Sequence, residues 1–321
     1  MSEPATTFAE HEDARGIIRG AARFEALLRD GRALAVLAAV AASLKAVLVK
    51  LAYASAPVAP ITLLALRLLL ALPFFLWMAG LLPAARRPLP HLRTSRWLGL
   101  ILVGASGYYL SSLADFIGLQ YISAGLERLV LFTYPALVLL LEALWRRRRP
   151  SSSTALALLL SYAGLVIAFA HDLGHSTNPA HVWLGVGWVL LSAFAFALYY
   201  LGSGVLLREI DAARLTGLAC LAATLCTGLH FLLTRPLNEL ASLPWSVWGY
   251  ALAMAVFCTV LPGWLIATAI SRIGASGTAA IGTLGPLLTS VFGWWLLDEP
   301  FSLLQALGLV LVVGGVYRMG R

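Results

Sequence analysis

Charge is scarce in this chain. Only 12% of its 321 residues are Asp, Glu, Lys or Arg, while 60% are hydrophobic. A soluble domain carries about 25% charged and about 45–50% apolar residues, so a soluble globular domain is excluded as the whole of the molecule. Long polar stretches are missing too. No linker or low-complexity segment divides the chain, and no loop is long enough to fold by itself. Cysteine is rare: Cys220, Cys226 and Cys258 lie inside apolar runs, with no CxxC pair. That excludes a disulfide framework or a zinc ribbon and leaves three small buried hydrophobes. HExxH, GxxxxGK[ST] and GxSxG patterns are all absent, so no metal, no cofactor and no catalytic residue is expected. His171, Asp172, His175 and His181 share one loop, but Gly174 and Pro179 interrupt regular ligand spacing, and a polar loop is the expectation.

Apolar runs of about 18–22 residues fill the chain, each long enough to cross a hydrocarbon core of about 30 Å as a helix. The mean hydropathy is +0.86. In lipid every backbone amide needs an internal partner, which leaves helices or closed barrels. The runs are continuous rather than alternating, so the expected class is an all-α integral membrane protein. Ten spans are placed at about 33–54, 60–80, 97–118, 124–145, 153–170, 182–206, 215–234, 246–269, 275–297 and 302–318. Residues 1–32 precede them. Met1 to Asp13 is polar and acidic, and Ile17, Ala21, Phe24 and Leu28 then recur at helical spacing among Arg15, Arg19, Arg23 and Arg29. A tail with a short helix on an anionic lipid surface fits that pattern, as does a plain unstructured tail.

The net charge of +8 flanks the apolar runs and forms no basic groove with interleaved aromatics, so no nucleic-acid partner is expected. If the N-terminus is cytoplasmic, eighteen of the 23 Lys and Arg fall in inner segments and only Arg235 falls in an outer loop. The remaining four, Lys45, Lys50, Arg67 and Arg128, lie within spans. By the positive-inside rule both termini are cytoplasmic, and the run Arg146–Arg149 meets lipid headgroups.

Two stretches match at a constant offset of 151: Ala124 with Ala275, Pro135 with Pro286, Ser151 with Ser302, Gly164 with Gly315. The turn of the first carries Arg146 to Arg149, that of the second Asp298 and Glu299. Five spans per half is an odd number, so the halves insert with opposite orientation. That explains the opposite charges and predicts two inverted five-helix repeats, 33–170 and 182–318. Inverted repeats are an architecture of secondary transporters, with the solute site near the midplane.

The segments "SLKAVLVKLAY", "LLALRLLLALPFFL", "YYLSSLADFIGLQYISAGLERLVLFTYPALVLLLEAL" and "ISRIGASGTAAIGTLGPLLTSVFGWWLLDEP" resemble the EamA-like members of the drug/metabolite transporter superfamily. The resemblance covers both halves. One departure is the run Arg146–Arg149, where many first halves have a Gly-Glu turn. The resemblance implies a ten-helix inner-membrane carrier that exports amino acids or related metabolites. A membrane enzyme acting on a lipid or prenyl substrate is the rival reading. It needs an Asp-rich or His/Glu catalytic set, and none is visible in the sequence.

Ionisable side chains inside spans are costly and point to function. Lys50, Arg67, Asp115, Glu127 and Arg128 each fall about 5–10 Å inside the outer ends of their spans by helical rise. They form one layer that is either an ion-pair network or an outer gate and coupling site, with Glu127 or Asp115 as the proton-sensitive group. Lys45 falls about 18 Å into span one, with no carboxylate at matching depth. It is read as the cationic contact for an anionic group of a small solute, against the alternative of a snorkelling lysine. Tyr108, Tyr134, Tyr199 and Trp264 are candidate lining of a solute site, or else packing aromatics. Pro135 and Pro286 are candidate hinges or simple kinks.

Overall fold

The computed structural model describes residues 30–83, 92–145, 179–282 and 284–298, with isolated positions near 88–90, 147, 159–167 and 303–314. Among the described residues all regular structure is helical. Span one is α1 (Gly31–Ser43) and α2 (Lys45–Ser55), and span two is α3 (Pro60–Ala79). Span three is α4 (Thr94–Gly104), a π-helical turn (Ala105–Leu110) and α5 (Ser111–Gly118). Span four is α6 (Ala124–Leu131) and α7 (Tyr134–Trp145). Span six is α8 (Pro179–Leu206) and span seven α9 (Ala212–Thr234), followed by the short α10 (Asn238–Ser242). Span eight is α11 (Trp245–Ala255), a second π-helical turn (Val256–Val260) and the first part of α12 (Leu261–Ile281). Span nine starts after the non-helical Gly274 within α12 and continues as α13 (Leu284–Leu297).

Seven described stretches are long and apolar enough to cross a membrane, and α13 occupies the place of the ninth expected span. Apart from those isolated positions, the expected spans 153–170 and 302–318 lie outside the described residues, as does the expected interfacial helix within residues 1–29. The helix ends follow local chemistry. Asp30 caps α1 by accepting from Arg32 N (2.9 Å), and Ser123 caps α6 by accepting from Leu126 N (3.1 Å). Asp211 caps α9 by accepting from Arg214 N (3.0 Å). Each cap satisfies a backbone N–H that the helix itself leaves without a partner.

The two halves repeat in detail. The π-turns begin at Ala105 and Val256 (256 − 105 = 151). Arg147 and Asp298, at φ 50° and φ 52°, are the described non-glycine residues with positive φ (298 − 147 = 151). Each sits just past the end of its equivalent helix, in the left-handed conformation that commonly terminates helices. Packing obeys the same relation. Span one packs on eight and, equivalently, six on three. Span two packs on seven and four on nine, each pair being its own counterpart. One packs on nine as six packs on four. A pseudo-two-fold axis therefore runs between the pairs two/seven and four/nine.

Small residues make the closest approaches possible, as expected where helices associate without a hydrophobic driving force. A Cβ on Gly217 would lie 2.4 Å from Ala79 N and 2.7 Å from Phe75 O, on the backbone of span two. Gly228, on the same helix, has nothing within 4 Å of such an atom. Gly217→Val should therefore lower the thermal midpoint of the detergent-purified protein by an amount corresponding to at least about 1–3 kcal/mol of overpacking. Gly228→Ala should leave the midpoint unchanged or raise it, since alanine favours the helix by up to about 1 kcal/mol. Equal midpoints for Gly217→Val and wild type would refute the close two/seven contact.

Candidate functional site

A cavity of about 110 Å³ lies on the pseudo-two-fold axis, between the halves. Its lining comes from both repeats: Ala42 and Lys45 of span one, Arg67 of two, Tyr108 and Ser111 of three, Arg128 and Tyr134 of four, with Phe196, Tyr199 and Tyr200 of six. Cys258 and Thr259 of span eight and Thr278, Gly282 and Gly285 of span nine complete it. The two π-turns deliver their residues here. Tyr108 comes from the first, Cys258 and Thr259 from the second. A π-turn widens the helix by one residue and re-aims the side chains on it, a device concentrated at functional sites.

The aromatic side is a connected box. Tyr108 and Tyr199 meet edge to face (5.2 Å between centroids), with their hydroxyls 3.1 Å apart. Tyr134 lies 5.0 Å from Phe196 and 5.2 Å from Tyr200, and Phe196 stacks on Tyr199 at 5.6 Å. Trp264 is not part of it. It packs beside the Leu34, Ala35 and Ala38 cluster of span one and does not line the cavity, because its place on the turn of α12 faces the neighbouring helix. Phe132, Phe196 and Tyr200 do line the cavity. The run Phe196, Tyr199, Tyr200 carries the helical spacing that marks one face, which is the sequence signal for Phe196.

The charged side departs from the depth estimate made along straight helices. Lys45 is not isolated: its Nζ stands 2.8 Å from Asp115 Oδ2. The flexible stem of lysine climbs along the helix. The π-turn in span three also takes up an extra residue and draws Asp115 back towards the middle. Asp115 and Glu127 are each 0% exposed, and their carboxyls adjoin. The oxygens of both carboxyls lack hydrogen-bond donors among the described residues, so the Lys45–Asp115 contact is ionic rather than a well-aligned hydrogen bond. Arg128 is clamped: its Nε donates to Thr289 Oγ1 (2.9 Å) and its Nη2 to Ala42 O (2.7 Å). Thr289 in turn donates to Ser43 O (3.0 Å), so spans one, four and nine are tied at one point. Thr289 carried no sequence signal, since a lone threonine in an apolar run is ordinary. Arg67 lies over the Phe116 ring at 5.0 Å. Lys50 lines an end pocket of about 420 Å³ with Tyr53 and Gln120.

Two larger hollows flank the cavity. One is that end pocket. The other, about 690 Å³, lies at the arginine-rich end and is lined by Glu142, Arg208, Ser271 and Ser276. Ile266 lines the cavity and Ile270, one turn on, lines this hollow. At its wall Ser276 of the second half donates to Glu142 Oε2 of the first (2.8 Å). Pro135 is buried as the second residue of α7, directly after the break at Phe132–Thr133. Pro286 is the third residue of α13, after the break that follows Ile281.

Comparison with known proteins agrees with this architecture. The EamA-like transporter family matches residues 30–170 and again 183–321. The chain is 33% identical over 263 residues to the uncharacterized transporter YcbK of Bacillus subtilis (strain 168), covering 80% of this chain and 81% of that one. It is 25% identical over 261 residues to an uncharacterized transporter of Archaeoglobus fulgidus, covering 80% and 86%. One solved protein structure superposes with a TM-score of 0.61 at 20% identity, covering 89% of this chain and 96% of that one, which is a likeness of fold alone.

The Lys45–Asp115 pair yields a stability prediction. Asp115→Asn leaves a buried ammonium without its counter-charge, a loss of about 3–5 kcal/mol for a buried pair. The thermal midpoint should fall sharply. It should recover in large part when Lys45→Met is added, because the stranded charge is then gone. Additive effects of the two substitutions would show that the pair is not formed.

Proposed function

The chain belongs to the EamA-like transporter family, and from that premise we propose that it is a secondary active carrier. It moves a small solute bearing an anionic group by alternating access. The observation that carries this reading is the cavity itself. It lies at the interface of two inverted halves, is lined by three cations and no carboxylate, and is boxed by aromatic rings. Secondary carriers with inverted repeats hold their solute in this position. In this reading the buried Asp115 and Glu127 form the gate at the end away from the arginines. The larger hollow lies at the arginine-rich end, which the positive-inside rule assigns to the cytoplasm. A hollow at that end supports solute loading from the cytoplasm, and with it the reading of export across the inner membrane. Amino acids and related metabolites fit the size and the charge.

The breaks before Pro135 and Pro286 are the hinges of this reading. They occur at matching points in spans four and nine, the pair on the axis. Freed carbonyls and missing N–H groups let the two helix segments tilt separately. The Glu142–Ser276 contact separates when the arginine-rich end opens. Asp115 and Glu127 provide the coupling site. Two adjoining carboxyls can hydrogen-bond only when one carries a proton, so gain or loss of that proton alters the hold of Asp115 on Lys45.

Two experiments test the reading. In proteoliposomes preloaded with unlabelled amino acids or short carboxylates, the purified protein should give saturable, ATP-independent counterflow of at least one labelled solute of the panel. Glu127→Gln should retain that exchange while losing acceleration by a pH gradient. Counterflow no greater than in protein-free vesicles for the whole panel would sink the carrier reading. For orientation, a cysteine at Arg235 should react with a membrane-impermeant maleimide in intact cells, after Cys220, Cys226 and Cys258 are replaced. One at Arg208 should react only after permeabilisation, and the reverse pattern would invert the topology.

A further inference from the structure

Three cations line the cavity; Lys45 has an ion-pair partner and Arg128 has hydrogen-bond partners in the protein. Lys45 faces Asp115 at 2.8 Å. Arg128 spends its Nε on Thr289 (2.9 Å) and its Nη2 on Ala42 O (2.7 Å). Arg67 is different. It is 2% exposed, and among the described residues neither its Nε nor its Nη2 has a hydrogen-bond partner. Those two nitrogens form the side-on edge of the guanidinium, where two parallel N–H bonds match the two oxygens of a carboxylate. The contact with the Phe116 ring (5.0 Å) attracts the charge, but it gives these in-plane donors no acceptor. Charge points the same way. Lys45, Arg67 and Arg128 stand against Asp115 and Glu127, which leaves at least one positive charge without a counter-charge in a buried site.

We infer that Arg67 is the anchor for the carboxylate of a small monoanionic solute, held side-on by Nε and Nη2. Lys45 and Arg128 are thereby assigned to holding the helices rather than the solute's charge. The cavity volume of about 110 Å³ is somewhat below the about 150 Å³ that accommodates a benzene ring. The solute accordingly has about five or six non-hydrogen atoms, with its uncharged part against Tyr108, Tyr134 and Tyr199. Nε and Nη2 each expose under 1 Å². Arg67 lines the cavity, and in the proposed complex its guanidinium turns off the Phe116 ring to meet the carboxylate. The inference rests on the carrier reading only for its choice of cavity, and it is tested by binding without transport.

The test is thermal stabilisation of the full-length protein in detergent by sodium butyrate, by butyramide and by inorganic phosphate. Butyrate should raise the midpoint in a saturable way, with butyramide and phosphate giving no comparable shift. Arg67→Gln should abolish the response to butyrate. Arg67→Lys, which keeps the charge and loses the side-on edge, should raise the half-saturating concentration at least ten-fold. Each variant is first checked for monodispersity and helical content. If Arg67→Gln does not fold, Arg67→Lys and the butyrate–butyramide contrast in the wild type carry the test. Equal shifts with butyrate and butyramide, no shift with butyrate, a larger Arg67-dependent shift with phosphate, or wild-type butyrate binding in both variants would each overturn the assignment. Butyrate binding through Arg67 without counterflow of any solute would instead leave this inference standing and remove the carrier reading.

Discussion

The ion pair between Lys45 and Asp115 is the constraint around which the rest is arranged. An ammonium and a carboxylate inside an apolar bundle are each expensive, and each is tolerable only while the other is present. Their 2.8 Å contact joins spans one and three within the first half. Through Glu127 the network extends to span four, and through Arg128 and Thr289 it crosses to span nine. One end of the molecule is therefore held by charge. At the other end Ser276 donates to Glu142 across the halves, beside the larger of the two flanking hollows.

The scaffold is symmetric and the chemistry is not. Both halves carry a π-turn at the same repeat position, a break before the same proline and a left-handed residue after the same helix. Breaks at equivalent points are what the proposed alternating access asks of two repeated halves. Yet all three cations of the cavity and both buried carboxylates belong to the first half. At the positions of Glu127 and Arg128 the second half has Thr278 and Ala279. The second half supplies Thr259, Thr278, Gly282 and the ring-bearing span six. In this arrangement the first half holds charge and the second shapes the space beside it.

The aromatic box has a physical reason as well. Tyrosines bring large apolar area with a polar tip, and edge-to-face contacts hold each ring in place. Gly107 lets span six approach: a Cβ there would fall 2.5 Å from the Tyr199 ring. The box thus depends on one glycine of span three, placed by the π-turn that also positions Tyr108.

The helical spans among the described residues and the repeat offset of 151 were legible along the chain. Hydrophobic length, charge placement and proline position are local properties that need no packing to be read. Depth was legible only roughly. Lys45 read as solitary because residue count measures distance along a straight helix, whereas the π-turn, helix tilt and a flexible stem decide what an ammonium reaches. Trp264 and Thr289 show the same limit from opposite sides. An aromatic in mid-span read as cavity lining and turned to its neighbour, while a threonine without any sequence signal became the clamp on Arg128. Which cation keeps its donors open is a matter of partners far apart in the chain, as between Arg128 and Thr289. Hydrophobic length and the repeat offset determined that this chain crosses a membrane and is built of two repeated halves. Only the packing of those halves decided that Lys45 and Arg128 are spoken for and that Arg67 is not, because hydrogen-bond satisfaction belongs to the assembled interior and not to any one span.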